Sequence, residues 1–343
     1  MSVADSAIGS RSAGVRLLRL AGSLKFALIN LAALFVGVCV AYLSDSRTVW
    51  ALVVPLASSA VNLLAAMLTN AVFRRQLPLL VFHLALLAVI VLVALGRLTY
   101  LKGAAEVVDG GSFDGVLATR EAGPFHGDAI AALSFASHGF TIDYAPGIRR
   151  GATRNEVAFR NAAGRLETRI IGDQQPLVLA GYRFYTSHNK GFAPTFVWHP
   201  AAGGVPQLGA VHLPAYPLHE YRQAREWVIP GTATVVWTML QFQEIILDPD
   251  KADQFKLPGE HDLVVRIGEQ RWQLQPGMSV SLPAGRLEYV GLRGWMGYTV
   301  FYDWTIPWLL AAALAAAFSL GWHYWRKFAA RPWNREQDDG TTA

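Results

Sequence analysis

The sequence predicts an integral membrane protein: four transmembrane α-helices joined to a large all-β extracytoplasmic domain. Three observations carry that prediction. Of the 343 residues, 52% are hydrophobic and only 16% are charged, too apolar for an ordinary soluble domain and too polar for membrane helix alone. Four stretches approach or exceed the roughly 20 apolar residues that cross a hydrocarbon core of about 30 Å. Between the third and fourth, short runs rich in β-branched and aromatic residues alternate with turn residues.

In chain order, residues 1–25 form a cytoplasmic N-terminus and residues 26–97 carry three transmembrane helices. These are Phe26–Leu43, about Trp50–Phe73 and Leu77–Gly96. No small-x-small cleavage site follows the first in "YLSDSRTVW", so it reads as a retained anchor and not a signal peptide. Residues 98–303 form the β-rich domain, 304–325 the fourth helix and 326–343 a cytoplasmic tail. The flanking charges set the orientation. Arg11, Arg16, Arg19 and Lys25 precede the first span, Arg74 and Arg75 separate the second from the third, and Arg326, Lys327, Arg331 and Arg335 follow the fourth. The loop between the first two spans carries only Arg47. The positive-inside rule then puts both termini and the 74–76 loop in the cytoplasm, with the β-domain outside. Trp50, Trp304, Trp308, Trp322, Tyr324 and Trp325 sit near span ends, where interfacial aromatics belong.

Within the outer domain the strand-like runs are 139–145, 156–161, 165–171, 181–187, 195–200, 233–239, 262–268, 270–275 and 286–292. Turn residues such as "NAAG", "PG" and "PAG" bound them. The pattern predicts a sandwich or barrel-like domain in one or two lobes, with 217–228 as the best short helix. The glycines of "DGGSFDG" read as turns, since no strand–loop–helix context makes them a phosphate cradle. The final "NREQDDGTTA" has the composition of a disordered tail.

Composition also excludes functions. The single cysteine, Cys39, rules out an intrachain disulfide, a CxxC redox pair and a CxxCH haem attachment motif. The net charge of +5 comes without an arginine-rich, aromatic-interleaved tract, so no nucleic-acid partner is expected. Few buried polar residues and no pair of broken helices leave a lone transporter without a path.

One residue in the spans calls for chemistry. His83 is the seventh residue of the third span, roughly 9–12 Å in from Arg75 at the rise of an α-helix. Ionisable residues at such depth usually face a bundle interior, a cavity or a ligand. Its helical face carries Gln76, Leu79, Leu80, Leu86, Leu87 and Ile90, a greasy wall with one nitrogen donor. Such a face suits a haem whose iron the imidazole ligates. The bland alternative is a structural histidine bonded to Asn30, Asn62 or Ser59. His323 lies only about one turn from Arg326 in the aromatic "WHYW" and reads as an interfacial anchor. A second axial imidazole is therefore expected from another subunit. His126, His138, His188, His199, His212, His219 and His261 show no metal-ligand spacing and read as scattered surface residues.

Taken together, these segments resemble the ResB (CcsB) family, part of the system II machinery that matures c-type cytochromes. "AGSLKFALINLAAL" looks like its first helix, and "VFHLALLAVIVLVALGRLTYLKGAAEVVDGG" like its third with the intramembrane histidine. "NEVAFRNAAGRLETRIIGDQQPLVLAGYRFYTSHNKG" is similar to its β-hairpin region, and "YVGLRGWMGYTVFYDWTIPWLLAAAL" to the passage into its last helix. The resemblance implies a haem-handling subunit in the bacterial cytoplasmic membrane, a non-catalytic or co-catalytic member of a haem–cytochrome c ligation complex. It implies His83 as ligand to the iron of a transiently bound haem, and as partners a ResC/CcsA-like membrane protein, apocytochrome c and membrane lipid. Here "HLA" stands where the family often has glycine soon after the histidine, and no tryptophan-rich loop is present. The alternative function is a non-haem membrane scaffold whose β-domain binds another envelope protein.

Overall fold

The computed structural model describes residue 14 and residues 16–44 and 48–329, except the side chain of Arg74. Arg11, Arg47, Arg331, Arg335 and the tail from Asn334 lie outside the described residues. The chain divides into a helical unit and a β unit. The helical unit takes the described residues up to Tyr100, then Ala122–His126 and Asp303–Ala329; the β unit is Leu101–Glu121 with Gly127–Tyr302.

The helical unit holds α1 (Leu24–Leu43), α2 (Val49–Thr69), α3 (Ala71–Arg75), α4 (Leu77–Thr99) and α5 (Ile306–Ala329). All but α3 are long and apolar enough to cross a membrane. Their outward faces are apolar, with Phe35 69% and Phe318 76% exposed, surface that water would penalise and lipid accepts. α1 begins at Ser23, whose hydroxyl accepts from the Phe26 amide at 3.3 Å, a side-chain N-cap. The second apolar stretch, expected to run to about Phe73, breaks at Asn70. That side chain accepts from the Val72 amide and starts the five-residue α3. Neighbouring helices pack in the order α1, α2, α4, α5.

Close approach of α1 and α2 depends on a proline and a glycine. Pro55 has no N–H to give the Ala51 carbonyl one turn back. That same carbonyl is the atom a side chain at Gly37 of α1 would strike. Absence of a Cβ thus lets the two backbones touch, the usual device of helix pairs in lipid. At the other end of α4, Gly96 leaves room for Thr305, whose amide and hydroxyl both donate to Asp303 Oδ1 at 2.8 and 2.6 Å. The segment 122–126 returns to the same place: the Phe125 amide donates to the Leu98 carbonyl at 2.9 Å, and the Phe125 ring meets Trp50 edge-on at 6.4 Å.

The β unit contains sixteen strands in chain order. They are β1 (Leu101–Val108), β2 (Ser112–Phe113), β3 (Thr119–Ala122), β4 (Phe135–Ala145), β5 (Arg149–Arg160), β6 (Leu166–Ile171), β7 (Leu177–Leu179) and β8 (Tyr182–Pro200). There follow β9 (Gln207–Ala210), β10 (Ala224–Val228), β11 (Val235–Gln241), β12 (Asp253–Gln254), β13 (Asp262–Ile267), β14 (Gln270–Leu274), β15 (Ser279–Leu282) and β16 (Gly285–Tyr302). They form three sheets. The largest has the order β3-β1-β16-β8-β7, with β15 on β16 and β9 on β8. A second is β10-β11-β13-β14, and a third is β12-β4-β5-β6 with β2 on β4. The sheets stay open, so the barrel-like alternative is not what forms.

The central ladder is β8 against β16, antiparallel from Gly285↔Pro200 to Phe301↔Arg183 with two register shifts. Two runs that the sequence offers as separate strands, 181–187 and 195–200, are halves of β8. The polar "HNKG" between them bulges without ending the strand. Phe184 and Tyr298 of this ladder meet Phe135 of the third sheet at 5.3 and 5.4 Å, and Phe196 meets Trp227 of the second at 5.3 Å. The stretch 217–228, expected as a short helix, is a tight turn at His219–Tyr221 followed by β10. Trp227 and Val228 are better accommodated opposite Val236 and Val235 of β11 than on a helix, because aromatic and β-branched residues gain from cross-strand packing.

Replacing Gly37 should expose the dependence of α1 on close contact. We expect Gly37→Val to lower stability by about 1–3 kcal/mol, the usual range for overpacking. The check is thermal unfolding of the detergent-solubilised protein; a variant that melts with the wild type would show that α1 needs no close approach.

Candidate functional site

His83 lies on α4 and is half-buried. Its Nδ1 is 2.8 Å from the Leu79 carbonyl one turn earlier. A carbonyl accepts and cannot donate, so Nδ1 carries a proton, and in the neutral ring the lone pair is on Nε2. The ring is flanked edge-on by Phe73 at 4.6 Å and Phe82 at 5.2 Å. Among the described side chains nothing hydrogen-bonds to Nε2. The partners of the bland alternative are engaged elsewhere. Asn30 Oδ1 accepts from Ser58 at 2.9 Å, Asn62 Nδ2 donates to the Ala21 and Ser23 carbonyls, and Ser59 donates to the Pro55 carbonyl at 2.8 Å. Chemically, His83 thus offers Nε2 in apolar surroundings, on a ring whose orientation the Leu79 carbonyl fixes. That donor suits a porphyrin iron, which a neutral histidine commonly ligates.

His323, also in the helical unit, is half-buried on α5 and touches the Tyr324 ring at 5.5 Å. It lines a cleft of about 430 Å³ with Arg75, Gln76, Pro78, Arg326 and Lys327. It therefore belongs to a polar recess where the ends of α4 and α5 meet, beyond the aromatic belt that its sequence suggests.

In the β unit the histidines do not converge, and among the described residues no three His, Cys, Asp or Glu side chains gather to hold a metal. Several have structural partners instead. His199 Nε2 lies 3.1 Å from Glu288, and His261 Nε2 lies 2.7 Å from the Tyr289 hydroxyl. His212 does more than decorate the surface. Its Nδ1 is 2.7 Å from Glu106, and its ring stacks on Trp295 at 5.5 Å. The hydrogen bond from His212 holds the Glu106 carboxyl below the usual range. The pair lines a cleft of about 550 Å³ between β9 and β10, walled by Phe196, Trp198 and Trp227.

Two further charged groups escape sequence reasoning. Lys190 is 3% exposed, and its ammonium sits over the rings of Tyr144 and Phe255 at 5.1 and 5.9 Å. Burial pushes its amine down to about 8. Asp109 has one carboxyl oxygen buried without a hydrogen bond. Burial raises its pKa to about 7, against the opposing pull of Arg293. Both sit in glycine-flanked, turn-like sequence, "VVDGG" and "HNKG", which gives no sign of burial.

A sequence-family model described as the ResB-like family matches residues 71–338, well over half of the chain. The match takes in His83, the whole β unit and α5; it begins after α2, so "AGSLKFALINLAAL" lies outside it. Among curated proteins none matches the chain.

Asp109 makes a pH-dependent contribution whose sign follows from its raised pKa. Between about pH 4 and pH 7 the folded chain holds a proton that the unfolded chain has released, so this residue costs stability as pH rises through that window and levels off above it. Asp109→Asn removes the cost. Melting temperatures of wild type and variant, followed from pH 4.5 to 8, should diverge in favour of the variant as pH rises. Parallel curves would show that Asp109 does not titrate in that range.

Proposed function

From the premise that the chain belongs to the ResB-like family and acts in cytochrome c biogenesis, we propose that it is the haem-handling subunit of a system II maturation complex. One observation supports this most: His83, within an apolar helix, has one ring nitrogen tied to the Leu79 carbonyl and the other free to bind a metal. Haem, when bound, supplies the iron and the groups that become joined to cysteine thiols. This chain supplies the site. Leu79 orients the imidazole, Phe73 and Phe82 confine it, and the aliphatic face of α4 accepts an apolar macrocycle out of water.

The remaining assignments belong to the same proposal. Arg75, Arg326 and Lys327 mark the cytoplasmic side of a bacterial inner membrane, which sets the β unit outside. His83 then lies about 12 Å along α4 from Arg75, within reach of haem arriving from the cytoplasmic side. The second axial ligand and the attachment step come from a ResC/CcsA-like partner, since the sequence has no second histidine as deep in a span as His83 and no tryptophan-rich loop. The cleft between β9 and β10, aromatic-walled and bordered by two sheet edges, suits an extended segment of apocytochrome c.

Co-expressed with its ResC/CcsA-like partner under haem-replete conditions, the purified complex should show a haem Soret band. In His83→Ala, at equal protein level, the band should weaken or shift, and added imidazole should restore part of it. An unchanged spectrum removes His83 from the site, and a wild-type complex that carries no haem overturns the reading.

A further inference from the structure

Among the described residues, the recess where α4 begins and α5 ends is cationic without a counter-charge. Arg75, Arg326 and Lys327 line it together with His323 and Gln76. Among the described residues of the helical unit the sole carboxylate side chain is Asp303, and its Oδ1 is taken by Thr305. No described residue forms a salt bridge with any of the three cations. Like charges sharing one recess repel, most strongly where water is scarce, unless an anion joins them.

A second feature of the recess points to the same ligand chemistry. Gln76 precedes α4 without a side-chain cap, and Pro78 occupies its first turn. Pro78 has no N–H and the Leu80 amide donates to the Gln76 carbonyl, so the amides of Leu77 and Leu79 are the uncapped donors at the positive end of this 23-residue helix's dipole. Guanidinium groups, an ammonium and uncapped amides are what a carboxylate or phosphate seeks.

Position selects between those anions. Gln76 and His83 are seven residues apart, so they lie on nearly the same face of α4, about 10 Å apart along its axis. An occupant of this face would meet the free imidazole nitrogen at one end and the cationic recess at the other. We propose that the recess receives the two carboxylates on one edge of the porphyrin whose iron His83 ligates. The inference rests on the haem reading above and deepens it: the site selects the free diacid, and it orients the macrocycle with its acidic edge toward Arg75, Arg326 and Lys327.

The test uses the full chain in phosphatidylcholine nanodiscs, titrated with haemin and with haemin dimethyl ester, in which the carboxylates are blocked. Wild type should bind the diacid about tenfold more tightly than the ester. Arg326→Gln/Lys327→Gln, and separately Arg75→Gln, should weaken haemin and leave the ester unchanged. The charge-conserving Arg326→Lys/Lys327→Arg should keep the preference, which separates charge from packing. His83→Ala should weaken both ligands. If haemin and its ester bind wild type alike while His83→Ala still abolishes binding, the haem reading stands and the recess proposal fails. If His83→Ala changes neither titration, the haem reading fails and the inference goes with it. If, with acid and ester bound alike, phosphatidylglycerol co-purifies with wild type but not with the neutralised variant, the occupant is lipid phosphate and the proposal is overturned.

Discussion

In hydrocarbon no water waits to satisfy a polar group, and the helical unit is arranged around that constraint. Its side-chain donors turn to backbone carbonyls. Ser59 bonds to Pro55, Thr69 to Ala65, Ser319 to Ala315, and Asn62 reaches the carbonyls that precede α1. His83 follows the same rule through Leu79. The consequence differs because an imidazole has two nitrogens. Satisfying one by the backbone leaves the other without a hydrogen bond from any described side chain, so the interaction that makes the residue tolerable among apolar helices also leaves a nitrogen available. Asn30 Nδ2 and Arg97 Nε stand apart as buried donors with no hydrogen-bond acceptor among the described residues.

The β unit answers a different demand. Its sheets have hydrophobic faces that must be covered, and the long β8–β16 ladder does this for both smaller sheets. Phe184 and Tyr298 close one side, Phe196 and Tyr289 the other. Some polar groups survive in this core through mutual bonds: the Tyr298 hydroxyl donates to Asn155 at 2.7 Å, and Asn155 donates to Ser137 at 3.0 Å. Asp109 and Lys190 lack such partners, and burial moves both toward neutrality.

Charge is distributed unequally between the two units. The β unit carries carboxylates close to its cations, as in Arg150 with Asp173 and Arg154 with Asp143, at 2.8 and 2.9 Å. The described helical unit has almost none, and its cations gather where helices end. Topology alone accounts for cations flanking spans, but not for three of them lining one recess with an uncapped helix start. That convergence is a tertiary fact, since Arg75 and Arg326 are far apart in sequence and meet only because α4 packs on α5.

By itself the sequence determined the architecture: four apolar helices and a domain of strands. Hydrophobic length and residue pattern are local quantities, and no packing is needed to read them. It also singled out His83, because one imidazole among apolar residues is conspicuous. Tertiary structure decided what locality could not. It joined two strand-like runs into β8, since the ladder with β16 carries the chain through its bulge, and it turned 217–228 into a turn and an edge strand because β11 offers a partner. It bonded His212 to Glu106, 106 residues away in sequence, and buried Asp109 and Lys190 behind turn-like glycines. It also chose the tautomer of His83. Each of these depends on which distant groups arrive beside a residue, and burial and hydrogen bonding exist only once the chain has closed around it.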